Sequence, residues 1–419
     1  MEEVNLLYSN GEERDAAKQY FTNKNLDMKK KTIVFSTPSE TGTSYWRLFL
    51  PMCAIHKKYP DKYNLIYTEQ MTPNHLKIAD LWVQHRAGGE NEYFTKVLQL
   101  WPQGLKKPVV IHDVDDNEYH LPKRHPMRDM WYASGKDKMA LYQLKHVDYV
   151  TTTGARLQKE FNKVRDYDKK VKVFRNQMDF NLPQWKIKKT NPFAEDKDVT
   201  DRLVIGWVGL TSHYQDLVKL KPIMKMIHDK YPQTDFVVAG MALKDTFVEI
   251  KEKEDGTKEI IEKEVTEEKR KYEYRVKRLF SDFAADRIKF YPAKPLEAYA
   301  EFYTWLDISL AYVEHNTFNA CKSEIKVVEP GYFGVVSVYN CWGGYEDMWN
   351  NMPQELQHKH TAMKHEYAKP WIEAISYWIE HPEERITYGK KFSKWVKQEY
   401  SVNQKIDERV EFYDELLGI

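Results

Sequence analysis

The chain has 419 residues, enough for two domains of ordinary size. Its 42% apolar content, with 12 Trp, 28 Tyr and 18 Phe, excludes a disordered polypeptide. The net charge of +1 conceals an asymmetry: residues 1–190 hold 32 Lys and Arg against 23 Asp and Glu, a net +9, and residues 191–419 hold 32 against 40, a net −8. No apolar run is long enough to span a bilayer, and the acidic, polar N-terminus does not read as a signal peptide. Cys53, Cys321 and Cys341 form no CxxC pair and no metal spacing, which suits free thiols in a reducing compartment and a cytoplasmic protein. The basic first half, densest in 156–189, suits a polyanionic partner, nucleic acid or an anionic membrane surface; a surface charge that simply varies between domains is the reading slightly favoured.

Residues 1–28 read as a partly helical extension. Lys31 to Ser36 reads as a strand, and a loop through Gly42 and Arg47 leads into a helix over Leu48 to His56. Strand, Gly-bearing loop and helix is how an open α/β sheet begins, with the loop at the ligand-binding edge. Gly42 lets backbone approach a ligand closely. Further strands are expected at Tyr63 to Thr68, Leu81 to His85 and Pro108 to His112. The last runs into His112, Asp113, Asp115 and Asp116, three carboxylates within four residues. That cluster could hold Mg²⁺ or Mn²⁺; capping the next segment without metal is the reading we favour. A helix over 127–147, a strand at Tyr149 to Thr152, a helix over Ala155 to Val164 and a strand at Val171 to Phe174 complete this half.

The polar, Pro-bearing stretch 181–200 marks a boundary. Leu203 to Val208 then reads as a strand, followed by a loop with Gly209, Thr211 and His213, a helix over 217–230 and a strand at Asp235 to Ala239. The scheme of the first half is repeated. Residues 248–276 interrupt it with charged runs around Glu254-Asp-Gly-Thr257, a hairpin signal. A strand at Lys289 to Tyr291, a helix over Leu296 to Tyr303 and an apolar run from Trp305 to Tyr312 follow. Three helices, over 370–380, 382–397 and 402–417, close the chain.

Between the apolar runs 305–312 and 334–339 lies Asn319-Ala-Cys-Lys-Ser-Glu-Ile-Lys-Val-Val-Glu329. Ser323, Lys326 and Glu329 recur every three residues and share one face of a short helix. A helix start suits a phosphate, Lys322 and Lys326 add charge, and Glu329 can accept hydrogen bonds from a sugar diol. A solvated amphipathic helix presents the same spacing, so spacing alone leaves both readings open.

Taken together, several segments resemble the GT-B glycosyltransferases, closest to their large retaining family with a Glu-x7-Glu motif. Ile205 to Asp216 is similar to the first strand and loop of that family's donor domain. Phe318 to Glu329, followed by a Gly and a strand, resembles its nucleotide-sugar segment, and Val173 to Asp179 resembles the strand end closing its first domain. The resemblance covers the chain from about Lys31. It implies an α/β fold of two Rossmann-like, doubly wound domains facing a cleft. Residues 1–190 would form the acceptor side, 200–385 the nucleotide-sugar domain with the 248–276 insertion, and 386–419 helices crossing back to the first domain.

The resemblance also implies a retaining transferase using a nucleotide-diphosphate sugar, UDP- rather than GDP-linked, with no metal cofactor required. Glu329 would hold the ribose, and the amides from Ser323 to Ile325 with Lys326 would hold the pyrophosphate. Gly209, Thr211, His213, Asn319 and Lys322 would line the donor. His112, Asp113 and Asp115 would stand near the transferred sugar, and Gly42 and Arg47 on the acceptor side. The chain departs from the family at two places. Cys321 occupies the position eight before Glu329, where the first motif glutamate belongs, and the Gly209 loop has no Arg. The Lys, Tyr and Asn richness resembles proteins of AT-rich phages, some of which glycosylate hydroxymethylated bases of their own DNA. DNA is therefore one expected acceptor; a cell-surface glycan or lipid-linked sugar is another. A non-catalytic protein that binds a nucleotide sugar or nucleic acid is the reading from a different class.

Overall fold

The computed structural model describes residues 6–23, 25–38, 42–86, 92–101, 104, 106–125, 127–165, 171–194, 202–241, 246–252, 258–268, 271–364 and 366–419. Contacts divide the chain into two compact units. The first comprises 1–182, 320–323 and 398–419, and the second 183–319 and 324–397.

The first unit is built on six parallel strands: β1 (Lys31–Ser36), β2 (Tyr63–Thr68), β3 (Leu81–His85), β4 (Val109–Val114), β5 (Tyr149–Thr152) and β6 (Val171–Val173). Their order is β2-β1-β3-β4-β5-β6. β1 to β4 are buried along nearly their whole length, as expected of parallel strands covered on both faces. Val34, Trp82, Val110, Val114 and Val150 point into one core with Phe94, Leu157 and Phe161. After β1 the chain makes a wide π-helical stretch, Tyr45–Phe49, before the regular helix Leu50–Lys58. The expected helix over 127–147 is two helices, Arg128–Ala133 and Lys136–His146, because Gly135 takes φ +70° between them. The closing helix Val402–Leu417 packs on Leu50–Lys58 within this unit. Asp407 receives Lys58 and Tyr59, and Asp414 receives Lys62 and Tyr63.

The second unit repeats the plan with β7 (Leu203–Val208), β8 (Thr234–Met241), β11 (Ile288–Pro292), β12 (Ile308–Ala311), β13 (Val336–Asn340) and β14 (Ala362–Met363) in the order β11-β8-β7-β12-β13-β14, all parallel. β9 (Thr246–Glu252) and β10 (Lys258–Glu264) pair antiparallel as the expected hairpin; its turn, Glu254 to Thr257, lies outside the described residues. The apolar run 305–312 enters the sheet only at Ile308, because Asp307 turns its carboxylate onto the β7 backbone N–H of Val204. Most of the expected helix 296–303 is turn, leaving Glu301–Thr304. Helix Ile325–Tyr332 crosses from β12 to β13.

Backbone approaches very closely where helix Pro382–Glu399 passes the turn before β13. A Cβ on Gly389 would stand 2.0 Å from the Gly334 carbonyl oxygen, and Gly334 itself takes φ +78°. Neither backbone can yield cheaply. Gly389→Ala should therefore lose about 1–3 kcal/mol of stability. Urea unfolding checks this, and an unchanged midpoint would contradict the packing described.

Candidate functional site

In the second unit Gly209 and Lys326 meet at the edge where β7 and β8 end. Gly209 follows β7, and its N–H donates to the Ala239 carbonyl at 3.0 Å. Gly240, at φ +93°, brings a hypothetical Cβ within 2.9 Å of the Gly209 oxygen. A Cβ on Gly209 would lie 2.6 Å from the Trp207 ring and 2.8 Å from Lys326 Nζ. Only glycine fits there. Lys326 Nζ lies 5.0 Å from the centroid of the Trp207 ring, a cation–π distance.

One helical turn on, Glu329 is only 5% exposed. Its carboxylate accepts from the Tyr299 and Tyr303 hydroxyls. Burial pushes its pKa up to about 7, against the lowering effect of the two tyrosines and the Lys326 charge. Each carboxylate oxygen keeps a second lone-pair direction after these bonds. The helix start at Ile325 has Glu324 at its N-cap and no side-chain cap.

The neighbouring loops are tied to one another. Thr211–His213 forms a single 3₁₀ turn, and the following helix begins at Tyr214, three residues earlier than expected. Asp216 accepts from Glu314 N–H at 2.8 Å and contacts His213 Nδ1 at 2.7 Å, so one buried carboxylate joins the loops after β7 and β12. Asn319 donates its amide to the Glu314 carbonyl at 2.9 Å, bracing that loop. His315 and Trp342, from the loops after β12 and β13, stack 4.5 Å apart.

Residues 320–323, with Lys322 and Ser323, belong to the first unit, and Lys326 and Glu329 to the second. Cys321 packs in the first unit's apolar core at 2% exposure, and burial raises its thiol to about 12. The position of the missing motif glutamate is thus a core position. Lys322 meets both Asp116 oxygens at 3.1 Å, so it neutralises a carboxylate where the sequence suggested a phosphate contact. Ser323 accepts from Asn176 Nδ2 at 3.1 Å.

The remaining expected site residues lie where β3 and β4 end in the first unit. Arg47 grips Asp113 through two hydrogen bonds, of 2.8 and 2.7 Å, and also reaches the Phe174 carbonyl. Asp113 further accepts from Thr151 at 2.6 Å and contacts His85 Nδ1 at 3.0 Å. Arg47 is 1% and Asp113 0% exposed. Their expected contacts with sugar and acceptor give way to a buried strut that fixes the strand ends. The Arg47 guanidinium beside Asp113 holds that carboxyl well below the usual range, outweighing burial.

His112 points to the opposite face, against Phe94, with ring centroids 5.8 Å apart. Burial lowers its pKa to about 3, so it is a neutral core residue. Alternation along β4 explains the split: adjacent residues face opposite sides. Asp115 lies beside Arg86 and His85, at 4.0 and 3.9 Å. Arg86, missed by the sequence reading, takes φ +48° and also binds Glu118 at 2.8 Å. Burial lifts Glu118 to about 7 despite Arg86. Gly42 opens the helical turn Gly42–Ser44, whose Thr43 hydroxyl lies 3.3 Å from His85 Nε2 and 3.4 Å from Arg86. Among the described residues no group of His, Cys, Asp or Glu is arranged to hold a metal ion. The acidic cluster instead faces Arg86 and Lys322.

No protein-family model and no curated protein sequence matches the chain. Solved structures match over nearly its whole length. Sucrose-phosphate synthase from Thermosynechococcus elongatus superposes with a TM-score of 0.63 at 12% identity, covering 93% of this chain and 100% of that one. HepE of Anabaena, in complex with UDP-glucose, gives 0.60 at 14% identity, covering 91% and 99%. The catalytic domain of starch synthase IV from Arabidopsis thaliana, bound to ADP and acarbose, gives 0.59 at 10% identity, covering 93% and 100%. The fold is GT-B. Two parallel six-stranded sheets in tandem are what the GT-B resemblance led us to expect.

Two measurements test this geometry. Arg47→Ala leaves a buried carboxylate without its guanidinium and should cost about 3–5 kcal/mol, read from urea unfolding; a loss below 1 kcal/mol would contradict the strut. Glu329 stays protonated in the fold up to about pH 7, whereas an unfolded glutamate ionises near 4.5. Its stabilising contribution is complete below about pH 4.5 and is lost as pH rises to about 7. Glu329→Gln should remove that slope, on the order of 3 kcal/mol across the window. Parallel stability–pH curves for the two proteins would contradict it.

Proposed function

We propose that the protein transfers a sugar from a nucleotide-diphosphate donor to an acceptor hydroxyl. The observation that carries the reading is the juxtaposition of Gly209, Lys326 and Glu329 at the edge where β7 and β8 end. Glycine there leaves room for the Trp207 ring and the Lys326 ammonium, and that fixed cation and a carboxylate stand one helical turn apart. In an open α/β sheet ligands bind outside the carboxyl ends of the strands. The HepE structure with UDP-glucose supports a uridine nucleotide as donor.

In this reading Lys326 and the backbone amides at the start of helix Ile325–Tyr332 stabilise negative charge on the departing diphosphate, while Glu329 accepts from the ribose. His213 and Thr211 line the donor from the facing loop. As the glycosidic bond breaks, the leaving phosphate oxygen takes the acceptor's proton and the new bond forms on the same face, so configuration is retained. Asp115 serves the acceptor side, and Asp113 and Arg47 act by holding the strand ends in place.

The acceptor we favour is DNA carrying hydroxymethylated bases, because residues 1–190 carry a net +9. A base taken out of the stack would present its hydroxymethyl group to the site. The test is incubation with a panel of UDP- and GDP-sugars, first alone for slow hydrolysis, then with hydroxymethylcytosine DNA or oligosaccharide acceptors. We expect hydrolysis of a UDP-sugar, and transfer to DNA that weakens steeply with salt. Gly209→Ala and Lys326→Ala should each lower turnover by about 10²-fold or more. Transfer to oligosaccharide alone would replace the acceptor, and neither hydrolysis nor transfer with any donor would leave only a binding protein.

A further inference from the structure

The second unit has a cavity on the edge of its sheet opposite Gly209, where the strands begin. It encloses about 200 Å³ between the segment after 183, the turn before β13 and the first turn of helix Pro382–Glu399. Its walls include Ile187, Tyr303, Phe333 and Ile386, and two cations, Lys189 and Arg385. Lys189 is paired with Asp307, whose other oxygen is committed to the Val204 N–H. Arg385 is placed differently. One of its nitrogens donates to the Trp378 carbonyl at 2.5 Å, and among the described residues no carboxylate lies within ion-pair distance of its guanidinium. Burial lowers its pKa, with Asp307 opposing at longer range. A guanidinium in such surroundings gains from an anion that can take two of its remaining N–H groups.

We infer that this cavity binds a small organic anion, a carboxylate or phosphate head held by Arg385 with its apolar body between Phe333 and Ile386, and that its occupancy is felt at Glu329. The size agrees with a small metabolite, since pockets for drug-sized ligands measure about 300–1,000 Å³. The connection is direct. Tyr303 forms part of the wall, and its hydroxyl donates to Glu329. Phe333 and Gly334 follow the helix that carries Lys326 and Glu329. A ligand that shifts Tyr303 therefore changes the hydrogen bonding of Glu329, and by reciprocity a ligand at Glu329 changes affinity for the anion. This coupling rests on the donor-site reading; the binding itself does not.

Calorimetric titration of the full chain with phenyl phosphate and with benzoate tests the binding. We expect saturable one-to-one binding of at least one probe at about 1 mM or tighter, weakened about tenfold or more in Arg385→Gln. Because Arg385 also braces the Trp378 carbonyl, Ile386→Trp is the second variant: it fills the cavity from an exposed position and should abolish binding with the melting temperature kept. No saturation by either probe, or undiminished binding in Ile386→Trp, overturns the site. UDP-glucose titrated with and without saturating probe should show affinities differing about fivefold or more. Equal affinities overturn the coupling. UDP-glucose failing to bind at all would count against the donor reading and leave the probe titration to decide the cavity.

Discussion

Glu329 is a carboxylate closed into the interior of the second unit, and much around it follows from the cost of that burial. An ionised carboxylate there needs hydrogen bonds and a nearby cation, or it takes up a proton. The chain supplies Tyr299 and Tyr303 from the segment before β12 and the Lys326 ammonium from the preceding helical turn. Lys326 is itself confined, lying over the Trp207 ring where only a glycine at 209 leaves room. The Gly209 and Gly240 backbones close on one another at the same edge. Cation, ring, glycines and carboxylate are one mutually dependent arrangement.

The first unit solves the same problem differently. Asp113 is more deeply buried than Glu329, yet it stays ionised because Arg47 meets both its oxygens and Thr151 donates to it. Glu118, with Arg86 on one side only and Asp115 and Asp116 nearby, is pushed up to about 7. The difference between these carboxylates is set by the number and geometry of their partners more than by depth. It also separates their roles: a doubly gripped Asp113 is a strut, while Asp115 and Asp116 keep the outer positions of the cluster.

Much of the framework was legible in the sequence. β1, β2, β3 and β7 are short continuous apolar runs between polar turns, the signature of parallel strands covered on both faces, and their limits were read without error. Lys326 and Glu329 share helix Ile325–Tyr332 as helical spacing led us to expect, and Gly209 followed from its place after a strand; Ser323, expected on the same face, lies before that helix and in the first unit. What could not be read were partners distant in sequence. Nothing local links Tyr303 to Glu329, Arg47 to Asp113 or Lys322 to Asp116, which are 26, 66 and 206 residues apart. Strand alternation could have warned that His112 and Asp113 cannot face the same side. The apolar character of a lone cysteine could have marked Cys321 as core. Arg86, with its positive φ, carried no sequence signal at all.

The function proposed depends on where a nucleotide sugar meets this chain. Hydrogen–deuterium exchange with and without UDP-glucose measures that directly. Protection concentrated in 207–214 and 324–330 is expected. Saturable binding with protection confined to other segments, those two remaining unchanged, would contradict it.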